Sequence, residues 1–177
     1  FDGSTEYGSV SSLPAALSVN NATVSLWAKL DASSTNSVMF GLAVDSDNVI
    51  SIFHKNSDNT VNFQYKGGGS AKLASSTLNV EGDGNWYHIV LTVDTTADEL
   101  KGFVNGSQVG TTTGSLGTWS GTPSLLYIAR NPNASNSFFH GKLDEVSLFN
   151  VTKTPAQVTE MYNSGKPTNL MGSSGLI

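Results

Sequence analysis

The chain contains no cysteine, which excludes a disulfide framework and every thiolate metal site. Charge is also scarce, with Asp, Glu, Lys and Arg making up only 13% of 177 residues. The 9 basic residues are outnumbered by 14 acidic ones, for a net charge of −5. They form no cluster, so the electrostatic footprint of a nucleic-acid binder is missing. No apolar run approaches the ~18–20 residues of a membrane-spanning helix, and no signal peptide is expected within these residues. The mild acidity suits Ca²⁺ attraction or plain solubility.

What is abundant is Gly, Ser, Thr and Asn, with 18 glycines alone. That composition describes a turn-rich, neutral-polar surface, typical of β-sandwiches and of proteins working outside the cytosol. The length suits one domain with a real core that needs no covalent staples. The chain starts at Phe1, without Met, in what reads as a strand. The expectation is a piece of a longer protein or a processed product.

Period-2 alternation recurs along the chain. Phe1–Tyr7 reads as a first short strand. Thr23–Leu30 alternates Val24, Leu26, Ala28 and Leu30 inward with Thr23, Ser25, Trp27 and Lys29 outward. Strands are also predicted over Ser37–Val44, Val49–Lys55, Thr60–Lys66, Ala71–Leu78, Trp86–Asp94, Leu100–Val104, Ser107–Thr113 and Ser124–Arg130. Asn105-Gly106 is a strong hairpin signal, because a type I′ turn requires positive φ at both central residues. One helix is expected near the C-terminus, with Thr154 as N-cap, Pro155 in its first turn and Gln157 closing a capping box. It should run to about Ser164 and stop at Gly165. About a dozen short strands and a terminal helix specify an all-β fold, a two-sheet antiparallel jelly-roll sandwich with one short C-terminal helix. The domain is expected over 1–166, with 167–177 as a tail or linker.

The last long strand, Phe138–Asn150, draws the most attention. Strict alternation places Phe139, Gly141, Leu143, Glu145, Ser147 and Phe149 on one face. It places His140, Lys142, Asp144, Val146 and Leu148 on the other. Asp144 then sits among apolar neighbours, where an unpaired carboxylate is costly. Backbone N–H groups, Lys142 or a metal ion are its candidate partners.

Seven pieces in order resemble the laminin-G-like (concanavalin A-like lectin/glucanase) jelly-roll domain of secreted bacterial and phage or viral structural proteins. They are FDGSTEY (1–7), TVSLWAKL (23–30), NWYHIVLTVD (85–94), GFVNGSQVG (102–110), LYIAR (126–130), GKLDEVSLFN (141–150) and the TPAQVTEMYNSG helix (154–165). The resemblance implies a glycan-binding or adhesion module, or a structural domain of a surface protein or virion. It also implies one structural Ca²⁺, carried here by Asp144 and Asp2 with nearby carbonyls, since Ca²⁺ gathers six to eight oxygens. Asp45 and Asp47, beside Asn48, form a second candidate cation loop whose alternative is a solvated turn.

Hydrolysis needs two carboxyls facing one another. The Glu-x-Asp-x-x-Glu strand of the family's glucanase branch is absent, and Asp144 and Glu145 are adjacent. No serine sits in a G-x-S-x-G elbow, and His54, His88 and His140 lie far apart in strands. The chain is therefore expected not to be an enzyme; a divergent glycoside hydrolase is the remote alternative. Ligand binding is expected at Trp119, in a Gly/Ser/Thr loop, with Tyr65 beside the Gly67–Gly69 turn and Asn131 and Asn133 adding polar contacts. The alternative for Trp119 is a lid folded onto the core. The expected partners are a glycan or surface polysaccharide and further domains or subunits of a parent protein. The expected location is extracellular, on a cell surface or on a virion.

Overall fold

The computed structural model describes residues 1–10, 12–14, 17–33, 35–77 and 79–165. Among them, eleven strands form two antiparallel sheets. One sheet has the order β1 (Gly8–Val10), β10 (Leu125–Ile128), β3 (Ser37–Asp45), β4 (Asn48–Lys55), β5 (Thr60–Gly67) and β6 (Ser70–Ser75). The other has the order β11 (Gly141–Phe149), β2 (Asn21–Leu30), β7 (Tyr87–Asp94), β8 (Glu99–Val104) and β9 (Ser107–Thr113). The expected sandwich is therefore present, closed by one helix, α1 (Pro155–Tyr162).

The core lies between the two inner faces. Leu26 and Ile89 meet Phe40, Leu42, Ile50, Ile52, Phe63 and Tyr65 there, all at most 1% exposed. The sheets come closest where β5 and β6 pass β8 and β9. The Phe63 ring occupies the space above Gly102, and Gly110 packs on the Ser75 backbone; a Cβ at either glycine would collide. Asn105 and Gly106 both have positive φ, 50° and 76°, as the hairpin turn demands.

Helix α1 starts with the expected capping box between Thr154 and Gln157. It ends a little early, because Asn163 adopts the left-handed conformation (φ 45°) as C-cap, and a single 3-10 turn follows over Asn163–Gly165. Its Val158 packs on Val90 and Phe103, on the outer face of the five-stranded sheet. Tyr162 stacks against Trp27 at 5.9 Å and His88 at 6.1 Å. Trp27 thus points outward as its register requires, covered by the helix. The expected tail falls outside the described residues.

Two sequence expectations need correction. Phe1–Tyr7 is not a strand: Asp2 makes one isolated bridge, to His140. Its carboxylate then captures the N–H groups of Ser4, Thr5 and Glu6, which removes them from any ladder. The paired segment comes later, at Gly8–Val10.

The second correction concerns β11. Asp144 pairs with Trp27, but Ser147, three residues on, pairs with Ser25, only two residues on. One extra residue is accommodated as a bulge at Glu145, whose φ is +49°, and the alternation resets there. Leu143, Val146 and Leu148 all pack on the core. Asp144 is exposed rather than buried among Val146 and Leu148. Its carboxylate accepts from the Glu145 backbone N–H at 2.9 Å and not from Lys142.

Gly102→Ala should therefore cost about 1–3 kcal/mol in urea unfolding, the usual penalty for overpacking a filled core. Adding Phe63→Leu should recover part of that loss, because the ring is what the new methyl meets. Burial also pulls the His88 imidazole down to about 4. Unfolding releases a group that binds protons below about 6.5, so stability should fall as pH drops from about 6.5 to 4. The loss is on the order of 3 kcal/mol. Urea midpoints across this range should slope less in His88→Gln, which keeps a partner for Ser25 but does not titrate.

Candidate functional site

On the outer face of the six-stranded sheet, register aligns side chains in rows. Val38, Phe53, Asn62 and Ser75 form one row. Gly41, Ser51, Gln64 and Leu73 form the next, and Ala43, Val49, Lys66 and Ala71 the third. Side chains opposite one another across neighbouring strands share a face. This face therefore mixes an apolar floor with hydroxyl, amide and ammonium groups.

The loop between β10 and β11 walls one side of it. Pro132 fills the space over Gly41, where a Cβ would clash with its ring. Arg130 anchors the loop: its guanidinium lies 4.7 Å from the rings of both Tyr7 and Tyr127. It donates to the Ala134 carbonyl at 3.4 Å and the Ser135 hydroxyl at 2.8 Å. Asn131 donates to Asn136 Oδ1 at 3.2 Å and accepts from the Asn133 N–H at 2.9 Å. Val38 N–H donates to the Ser137 carbonyl at 2.9 Å. The wall is thus tied down by side chains and backbone.

Between wall and floor lies a cleft of about 330 Å³, lined by Val38, Val49, Ser51, Phe53, Gln64 and Lys66 and by Asn131, Pro132 and Asn133 of the loop, among others. Ser51 donates to Gln64 Oε1 at 3.1 Å, which turns the Gln64 amide NH₂ outward without a partner among the described residues. The Asn133 side-chain amide is likewise unpartnered there. Lys66 donates to the Ser46 carbonyl at 2.7 Å and lies 3.4 Å from Asp47. No carboxylate is among the described residues that line the cleft, so the pair of acids that glycoside hydrolysis uses is not found among them.

The expected ligand residues separate. Asn131 and Asn133 line this cleft. Tyr65 does not: it faces the core at 0% exposure and cannot offer a ring to a ligand. Trp119 lies 6.0 Å from the Tyr65 ring, packs on the core and donates from Nε1 to the Gly121 carbonyl at 3.2 Å. It is a lid over one end of the sandwich. Asn48 ties that lid down by accepting from the Gly68 and Ser120 N–H groups at 3.2 and 3.0 Å.

The expected metal residues are not brought together. Asp2 bridges His140, and Asp144 lies four residues further along, roughly 13 Å at strand rise. Asp2 accepts from three backbone N–H groups and from the Ser4 and Thr5 hydroxyls. These hold its carboxyl far below the usual carboxylate range. Both of its oxygens face donors, so the pair does not fit one shared Ca²⁺. Asp45 Oδ1 accepts from Asp47 N–H at 2.9 Å and Asn48 Nδ2 at 3.0 Å, as a turn-capping group does. Among the described residues, no three His, Cys, Asp or Glu stand close enough to share a metal.

A serine–histidine contact does exist. Ser25 Oγ and His88 Nε2 are 2.9 Å apart, but both residues are 2% exposed beneath the helix. His88 Nδ1 has no hydrogen-bond partner among the described residues. Among the described residues no acid orients the imidazole as a triad requires, and the Tyr162 ring stacks over it.

The sequence reading did not single out Phe53, Ser51 and Gln64. A signal was present: Phe53 stands on the same register as Ser51 and Lys55, an aromatic ring on the solvent side of its strand.

Residues 2–159 match the family described as the concanavalin A-like lectin/glucanases superfamily. No curated protein matches the chain. Among solved structures, the NanB sialidase from Streptococcus pneumoniae aligns with a TM-score of 0.74 at 21% identity, over 90% of this chain and 26% of that one. This chain thus spans about a quarter of the sialidase. Domain 4 of AbnA, an extracellular GH43 arabinanase from Geobacillus stearothermophilus solved with arabinotriose, aligns with a TM-score of 0.68 at 23% identity. That alignment covers 81% of this chain and 66% of the other. The CBM40 of a Ruminococcus gnavus IT-sialidase, bound to α2,3 sialyllactose, gives a TM-score of 0.66 at 11% identity over 81% and 83%. At these identities the likeness is one of fold.

Thermal unfolding should give the same Tm in Ca²⁺ and in EGTA, since an ion that bound the native state would raise it. Asp2→Asn should lower Tm at neutral pH. The gap should narrow as pH falls below about 4, where the unfolded carboxylate takes up its proton while the native one resists.

Proposed function

The chain belongs to the concanavalin A-like lectin/glucanases superfamily, and on that footing we propose that it is a non-catalytic carbohydrate-binding module. The cleft between Phe53 and the Asn131–Ser137 loop is its glycan site. One observation carries the reading: a half-buried aromatic ring set among outward amides in a cleft that is already formed. Sugars present apolar C–H faces and dense hydroxyls, so they need a flat apolar surface and groups that both donate and accept. Phe53, Val49 and Pro132 offer the first. Ser51, Gln64, Asn131 and Asn133 offer the second.

The similar structures support this assignment, because two of them hold glycans, arabinotriose and sialyllactose. The arabinanase is also named as extracellular. On this reading the module works outside the cell, on a secreted or surface protein, with other domains supplying any chemistry.

A glycan array followed by calorimetry tests the proposal. At least one glycan class should bind, and Phe53→Ala or Gln64→Ala should each weaken it by about tenfold, the loss expected when a stacking ring or a desolvated amide is removed. Both variants should keep a cooperative melt. No binding to any glycan would leave a structural domain; binding that survives both substitutions would move the site elsewhere.

A further inference from the structure

The cleft on the six-stranded sheet is elongated, and its binding groups succeed one another along it. Phe53, Ser51 and Val49 of β4 all line it. They alternate along one face of the strand, so Phe53 and Val49 lie roughly 13 Å apart at strand rise. Pairing across the sheet divides this length into three levels. At the first, Phe53 is opposite Val38, whose N–H donates to the Ser137 carbonyl at 2.9 Å. At the second, Ser51 is opposite both Gly41 and Gln64. Pro132 sits over Gly41, which brings its neighbours Asn131 and Asn133 to this level. At the third, Val49 is opposite Lys66, whose ammonium donates to the Ser46 carbonyl at 2.7 Å.

We infer that the cleft takes a linear oligosaccharide laid parallel to β4, with roughly two to three consecutive units spread over the three levels. The inference rests on the glycan reading above and names the ligand class within it. Each level presents a different half-buried group: the Phe53 ring, the Gln64 amide and the Lys66 ammonium. A flat ring suits the C–H face of one sugar unit. The Gln64 and asparagine amides donate and accept, as the hydroxyls of the next unit require. The Lys66 ammonium supplies donors for the oxygens of the last. Asp47, 3.4 Å away, balances its charge, so it acts there as a hydrogen-bond donor. A single sugar ring meets one level and part of the next, whereas a linear chain meets all three in turn. The entropic cost of association falls once on the whole chain, so each further unit that is seated adds affinity. The wall reinforces this. Arg130 holds it at Ala134 and Ser135 before any ligand arrives, so seating a longer chain adds no cost for ordering the loop.

The test is calorimetry with cello-, xylo-, arabino- and malto-oligosaccharides of one to five units, run beside the glycan array on the wild type and on Lys66→Gln. In a series that binds, affinity should rise by about tenfold per unit up to three units and then level off. Lys66→Gln should bring the three-unit ligand down to the affinity of the two-unit one and leave the two-unit ligand unchanged. A merely structural role for Lys66, holding the Ser46 turn, would instead weaken every length equally. An affinity already complete with one unit, or a Lys66→Gln loss that is the same at every length, overturns the inference and leaves the glycan site standing. So does array binding confined to branched or single terminal sugars, with all four linear series silent. Silence of both the series and the array overturns the inference and the glycan reading together.

Discussion

The sandwich depends on how closely its two sheets approach. Phe63 of β5 lies against bare backbone at Gly102 of β8, and Gly110 of β9 lies against the Ser75 backbone of β6. Any side chain at those glycines would push the sheets apart and open voids beneath Phe40, Tyr65 and Leu26. Tight contact here lets both inner faces be filled by aliphatic and aromatic groups at native density. It also fixes which residues remain for the outer faces, because a strand's alternation leaves no third direction.

The outer faces are treated differently. Helix α1 covers much of the five-stranded sheet, placing Val158 on Val90 and Phe103 and Tyr162 on Trp27 and His88. Among the described residues, no helix covers the six-stranded sheet. Its cover is the Asn131–Ser137 loop, seated on Gly41 by Pro132 and anchored by Arg130. A loop covers less area than a helix, so Phe53, Ser51 and Gln64 stay beside an open cleft. The asymmetry leaves this cleft open, and it follows from which connection folds back onto each sheet.

Much of the fold was legible in the residues. Alternation in Thr23–Leu30 and Trp86–Asp94, the Asn105-Gly106 turn and the Thr154–Gln157 capping box each carry a local physical cause, and each is found nearly where expected. The site was less legible. Asn131 and Asn133 stood out as loop amides and do line the cleft, whereas Tyr65 and Trp119 were chosen as aromatics near glycines. Their inward orientation follows from β5's register and from Asn48 pinning the lid, which are long-range contacts. The bulge at Glu145 left no mark in the sequence, because glutamate rarely adopts positive φ and strict alternation runs through it undisturbed.

The sequence by itself determined an all-β sandwich with one terminal helix, free of disulfides and of basic patches. Those properties rest on local propensity and composition, which each residue carries with it. The tertiary structure decided that Asp144 faces solvent, that Asp2 is filled by its own backbone donors, and that Phe53 shares a cleft with a loop some eighty residues away. Such outcomes depend on one inserted residue in a ladder and on which distant segment covers which face. Neither is encoded in any single stretch, because both are settled only when the sheets close on one another.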